Sequence, residues 1–151
     1  MLESLISFTM ASILLAFSPG PDNLYVITQS LANGTKSGIA TTLGLVSGCI
    51  VHTTLLAFGV SAIISASYTI FYILKVIGAL YLIYLAYQVL STETSLNFNA
   101  NVTKKSTAEL FKQGVLMNLM NPKILIFFLA FFPGFLWDPT ENIILQFYIL
   151  D

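Results

Sequence analysis

In a chain of 151 residues, 56% are hydrophobic and 9% charged, where soluble domains carry about a quarter of their residues as charges; an all-α integral membrane protein is expected. A net charge of −1, with every one of the six basic residues a lysine, excludes a nucleic-acid surface and bidentate phosphate clamps. The single cysteine, Cys49, excludes an intramolecular disulfide and reads as a small buried hydrophobe.

The first segment is apolar from Ser4 onward, and no Lys or Arg precedes Lys36. Without a basic stretch it does not read as a signal peptide, so the segment is expected to be retained. A helix over Leu5–Ala32 would be about 42 Å long against a hydrocarbon core of about 30 Å. Phe17-Ser18-Pro19-Gly20-Pro21-Asp22-Asn23 must break it, because proline removes a backbone donor and clashes with the preceding turn while glycine frees the backbone. Ser18 as N-cap and Pro19 as first helical residue are expected to start the second half.

Asn33-Gly34-Thr35-Lys36 reads as a turn. Ser37–Leu74 then holds no formal charge, too long for one span and about right for two, with a hairpin expected between Gly59 and Tyr68. The first of this pair carries Gly44, Gly48 and His52 at four-residue spacing, a stripe over which another helix approaches closely. The second runs from about Tyr68 to Leu90, with Tyr81, Tyr84 and Gln88 on one face. A polar loop, about 91–110, contains Glu93, Asn97, Asn99, Asn101, Lys104, Lys105 and Glu109. A fourth span from Phe111 to about Trp137 is interrupted by Asn121-Pro122-Lys123. Asp138-Pro139-Thr140-Glu141 is a turn, and Asn142–Leu150 opens a fifth segment that is too short to span, so the chain reads as cut short. Lysines in the first and third loops place both in the cytoplasm and the N-terminus outside, unless the first segment is re-entrant.

Asp22 and Lys123 are charges that stand beside the two breaks inside apolar segments, and each would cost roughly 2.5–3.5 kcal/mol at a helix centre without compensation. Asp22 suits the positive end of a helix dipole; Lys123, in the first turn after Pro122, faces the wrong end and must snorkel or meet an anion. Lys123 and the half-helix N-termini at two breaks about one hundred residues apart could hold a carboxylate, and Asp22 an ammonium or a proton. Pro19, Gly20, Pro21, Asn23, Asn118, Asn121 and Pro122 complete the candidate substrate-binding or proton-coupling set. His52, Gly44 and Gly48 are secondary: the histidine could relay a proton but reads better as a helix-packing hydrogen bonder, and the asparagines could line a pore or cap freed backbone. No metal-ligand cluster, nucleophile elbow, P-loop or dinucleotide fingerprint is present, so no metal, cofactor or catalytic residue is expected.

Phe17-Ser18-Pro19-Gly20-Pro21-Asp22, Gly38, Gly44, Gly48, Gly78-Ala79-Leu80-Tyr81-Leu82, and Phe111-Lys112-Gln113-Gly114 leading into Asn118 and Asn121-Pro122-Lys123 together resemble the LysE/RhtB superfamily of bacterial amino-acid exporters. The resemblance covers nearly the whole chain. It implies a multi-pass inner-membrane protein of about six transmembrane helices that exports threonine, homoserine, lysine or related metabolites using the proton motive force. Pro19 to Asp22 would be the first family motif and Asn121 to Lys123 the second. Family members run to roughly two hundred residues, so the fifth span is incomplete here and the sixth missing.

The resulting expectation is one transporter domain over 1–151, an inverted 3+3 repeat with a first half of about 1–95 and an incomplete second half of about 111–151. Its partners would be an amino-acid substrate and the lipid bilayer, with no nucleic acid; the small-residue stripes would serve a homodimer as well as packing within one chain. The alternative is a non-transporting membrane assembly or regulatory subunit whose polar breaks are packing devices. An intramembrane enzyme would need a second acid, a nucleophile with its base, or a metal cluster beside Asp22.

Overall fold

The computed structural model describes residues 1–18, 20–91, 103–138 and 142–151. Helices α1 (Leu2–Phe17), α2 (Pro21–Asn33), α3 (Thr35–Ala66), α4 (Tyr68–Ser91), α5 (Thr107–Met120), α6 (Pro122–Ile126) and α7 (Ile143–Leu150) follow in order, and α6 continues through a π turn, Phe127–Phe131, into a 3₁₀ turn, Phe132–Phe135. No strand occurs among the described residues. Pro19, Glu93, Asn97, Asn99, Asn101 and Pro139-Thr140-Glu141 lie outside the described residues, as do the side chains of Lys75 and Gln88.

The apolar chain bends twice. α1 meets α2 at 60° and α5 meets the segment from Pro122 to Phe135 at 53°, and each bent pair is long and apolar enough to count as one broken span. Among the described residues only the 25-residue stretch Thr35–Gly59 of α3 qualifies as a span without a break. The first break differs from its sequence reading. Ser18 ends α1, its amide donating to the Leu14 and Leu15 carbonyls, while Gly20 is the N-cap of α2 and Pro21 its first residue. Of two prolines two positions apart, the second starts the helix; Gly20, which precedes it, is extended, as a residue before proline prefers.

Three other boundaries move. The hairpin expected between Gly59 and Tyr68 shrinks to Ser67, because α3 runs on to Ala66; nothing from Gly59 to Ala66 removes a backbone donor, so the 32-residue helix is about 48 Å long. The polar loop ends early. Ser106 and Glu109 form a capping box, the Ser106 hydroxyl accepting from the Glu109 amide and the Glu109 carboxylate accepting from the Ser106 amide, so α5 starts at Thr107 rather than Phe111. The fourth segment leaves helical geometry after Phe135 rather than at Trp137. Gln146 of α7, buried, holds this exit: its carbonyl accepts from the Trp137 and Asp138 amides and its amide donates to the Asp138 carbonyl. The turn at Gly34 is where the sequence placed it, with φ of 87° that favours glycine.

α3 is the hub. It packs most extensively on α5, then on α2, and touches α4 and α7. A Cβ at Gly114 would strike the Thr41 carbonyl and the Gly44 Cα, and one at Gly44 would strike the Phe111 carbonyl, so the α3 and α5 backbones are in contact there. Beside this seam lies an aromatic core of Phe8, Phe127, Phe128, Phe132 and Phe147. Phe8 and Phe132 rings approach to 4.7 Å, which ties α1 to the segment beyond the second break.

Candidate functional site

The C-terminal end of every helix leaves backbone carbonyls without a partner inside the helix, and a break inside an apolar segment exposes them where water is scarce. At the end of α1 these carbonyls receive side-chain donors from elsewhere. Asn23, in the first turn of α2, folds back to donate to Ala16 O at 2.8 Å and Ser18 O at 3.2 Å. Lys123 Nζ donates to the same Ser18 carbonyl at 3.1 Å and to Leu15 O at 3.5 Å. The cation that the second helix start disfavours has thus reached the negative end of α1, a backbone dipole rather than the lipid headgroups or a carboxylate. Gly20 makes room for it: a Cβ there would stand 3.2 Å from Nζ.

The second break is capped by its own asparagine. Pro122 is the first residue of α6, and Asn121 Oδ1 accepts from the Lys123 amide at 3.0 Å. With its oxygen so used, Asn121 Nδ2 donates to Asp22 Oδ2 at 2.6 Å. Asp22 is buried at the start of α2, in the first turn after Pro21. The breaks are therefore cross-linked twice, a side chain of the second reaching the first in each case. Asp22 and Lys123 attract each other, yet neither is the other's hydrogen-bond partner; their contacts are with neutral amide and carbonyl groups.

Asp22, Asn23 and Lys123 open on one cavity of about 780 Å³. Its remaining wall is mainly apolar, from Phe8 and Leu15 of α1, Val46 and Ile50 of α3, and Ile124 and Phe127 beyond the second break, with Thr9, Ser12 and the carboxyl of Asp151 adding polar groups. Cys49 also lines it. The structure thus gathers Gly20, Asp22, Asn23, Asn121 and Lys123 at one place. Pro21 and Pro122 serve as exposed first helical residues.

Asn118, His52, Gly44 and Gly48 fall outside the cavity wall. Gly44 and Gly48 face α5: a Cβ at Gly48 would stand 2.6 Å from Asn118 Oδ1. Asn118 Nδ2 donates to Cys49 Sγ at 3.5 Å, while its Oδ1 has no hydrogen-bond partner among the described residues. His52 Nε2 lies 3.4 Å from the Asn118 carbonyl, and its ring stacks on Phe128 at 5.2 Å. Sequence reasoning named these residues without their partners. It missed the α1 carbonyls that receive Lys123, for which the surplus cation beside Pro122 was the signal, and Gln146, a lone amide in an otherwise apolar run.

Two bent helix pairs whose polar breaks meet over a cavity, in a chain this apolar, define an all-α membrane protein with a polar site at its broken helices. The chain belongs to the LysE type translocator family, whose model matches residues 13–150; this is a family of transporters, not enzymes. The chain is 33% identical over 144 residues to a homoserine/homoserine lactone efflux protein of Salmonella typhimurium, covering 95% of this chain and 69% of that one. It is 30% identical over 145 residues to a leucine efflux protein of Salmonella choleraesuis (95% and 68%), and 31% identical over 145 residues to an uncharacterized membrane protein of Vibrio cholerae (96% and 70%). No solved structure matches the chain.

Proposed function

We propose that the protein is a secondary active exporter of amino acids or closely related small metabolites across the bacterial inner membrane, a multi-pass carrier working by proton-coupled alternating access. The names of its relatives, efflux proteins for homoserine and for leucine, support that substrate class. The observation that carries the reading is that Asp22 and Lys123, one from each break, open on one cavity while bound to neutral protein groups. A zwitterion supplies a better partner for each. Its carboxylate draws Lys123 from the Ser18 carbonyl, and its ammonium displaces Asn121 from Asp22, because a full opposite charge attracts each ion more strongly than the neutral dipole it replaces.

Those two displaced contacts are also the links between the breaks. Substrate binding therefore loosens the link between the α1–α2 pair and the α5–α6 pair, which is what a rocking motion of two inverted repeats around a fixed site requires. Asp22 carries the coupling proton when no ammonium occupies it. The test is amino-acid efflux from proteoliposomes containing the wild-type protein or Asp22→Asn at equal abundance. Export that depends on a proton gradient in the wild type and is lost in the variant supports the reading; equal, gradient-driven export by Asp22→Asn overturns the coupling role.

One observation favours the rival reading of a non-transporting subunit: each charge already has a partner within the protein. If the links serve packing alone, Lys123→Met lowers the melting temperature, because two α1 carbonyls lose a donor, and there is no transport for it to abolish.

A further inference from the structure

His52 touches both sides of the second break. On the near side its Nε2 faces the Asn118 carbonyl at 3.4 Å, in the last turn of α5; on the far side its ring stacks on Phe128, in the π turn after α6, at 5.2 Å and 27°. A carbonyl only accepts, so Nε2 carries the hydrogen. The same carbonyl accepts from the Asn121 amide at 3.1 Å, and the Asn121 side chain is the donor to Asp22. The histidine is 5% exposed and belongs to α3, the hub on which α5 packs.

We infer that His52 is a positioning residue of the transport site, a strut from α3 that holds the 53° bend at the angle from which Asn121 reaches Asp22. This rests on the export reading for its consequence, though not for its geometry. The strut has two separable ends: a donor toward Asn118 and an aromatic face toward Phe128. Phenylalanine keeps the face and loses the donor; glutamine keeps a donor and loses the face.

The protein carries its own reporter. Cys49 is its single cysteine, lines the cavity, and takes a hydrogen bond from the Asn118 amide, so its reactivity follows the position of Asn118. The experiment measures the alkylation rate of Cys49 by N-ethylmaleimide, together with transport KM, maximal rate and pH profile, in proteoliposomes of wild type, His52→Phe and His52→Gln. Loss of one hydrogen bond corresponds to a change of roughly threefold to tenfold. His52→Phe is expected to speed alkylation and raise KM by that factor, while His52→Gln, which keeps the donor and loses the face, is expected to fall between His52→Phe and wild type in both. The pH profile is expected to keep its shape in all three.

Alkylation unchanged in His52→Phe would overturn the inference whether or not the protein transports. Loss of the pH dependence in both variants would overturn it too, by making the histidine a proton carrier. Altered alkylation in His52→Phe without any amino-acid transport by the wild type would uphold the strut and sink the export reading instead.

Discussion

The two breaks solve one physical problem in opposite ways. The first, between Ser18 and Pro21, starts α2 on Gly20, which has no side chain to cap it, and places a carboxylate in the first turn, where the dipole welcomes it. The second, at Asn121-Pro122, has a side-chain cap and places a cation where the dipole opposes it. Neither arrangement is complete alone. The cation of the second break occupies the carbonyl end of α1, and the cap of the second break supplies the donor that Asp22 lacks at the first. What looks like a misplaced lysine beside Pro122 is the residue that makes the first break tenable in an apolar environment.

The comparison breaks most completely if the helices that bring the two regions together cannot approach. A side chain at Gly114 would meet the backbone of Thr41 and Gly44, which cannot yield as a flexible side chain would. Gly114→Leu is expected to cost about 4 kcal/mol or more and to leave no monodisperse protein on size exclusion in detergent. Asn121→Ala removes both the cap and the donor to Asp22, an expected loss of about 3 kcal/mol seen as a fall in melting temperature. Lys123→Met unties two α1 carbonyls and should lose about 2 kcal/mol by the same measurement; an unchanged or raised melting temperature would show that the lysine does not hold the first break. Asn23→Ala leaves Lys123 on the Ser18 carbonyl, so its cost is about 1 kcal/mol by the same measurement.

These effects divide along what the sequence made legible. Prolines, glycines and charges inside apolar runs marked both breaks, and Asn121-Pro122 announced its cap, because such signals are local. Ser106-Thr107-Ala108-Glu109 is an equally local capping pattern, hidden inside a stretch whose polar composition suggested loop. The partner of Lys123 was beyond reach: its contact to Ser18 spans 105 positions and ends on a backbone carbonyl, which no residue type advertises. The same holds for the strut from His52 to Asn118, 66 positions apart. The π turn at Phe127–Phe131 also escaped, since five successive residues of Phe-Phe-Leu-Ala-Phe suit an α-helix as well, and the packing around it, Phe127 and Phe132 against Phe8, is between residues far apart in sequence.

If the breaks form one site for the two ends of an amino acid, each charge should report on one end of the substrate. The direct measurement is counterflow of an amino acid that the wild type exports against its uncharged-carboxyl analogue, the corresponding amide, in proteoliposomes of the wild type and of Lys123→Met at equal abundance. The wild type is expected to prefer the amino acid about tenfold, the value of one charge-assisted contact, and Lys123→Met to transport both slowly with no preference. A preference retained in full by Lys123→Met would contradict the account, because the carboxylate would then be held by something other than the lysine of the second break.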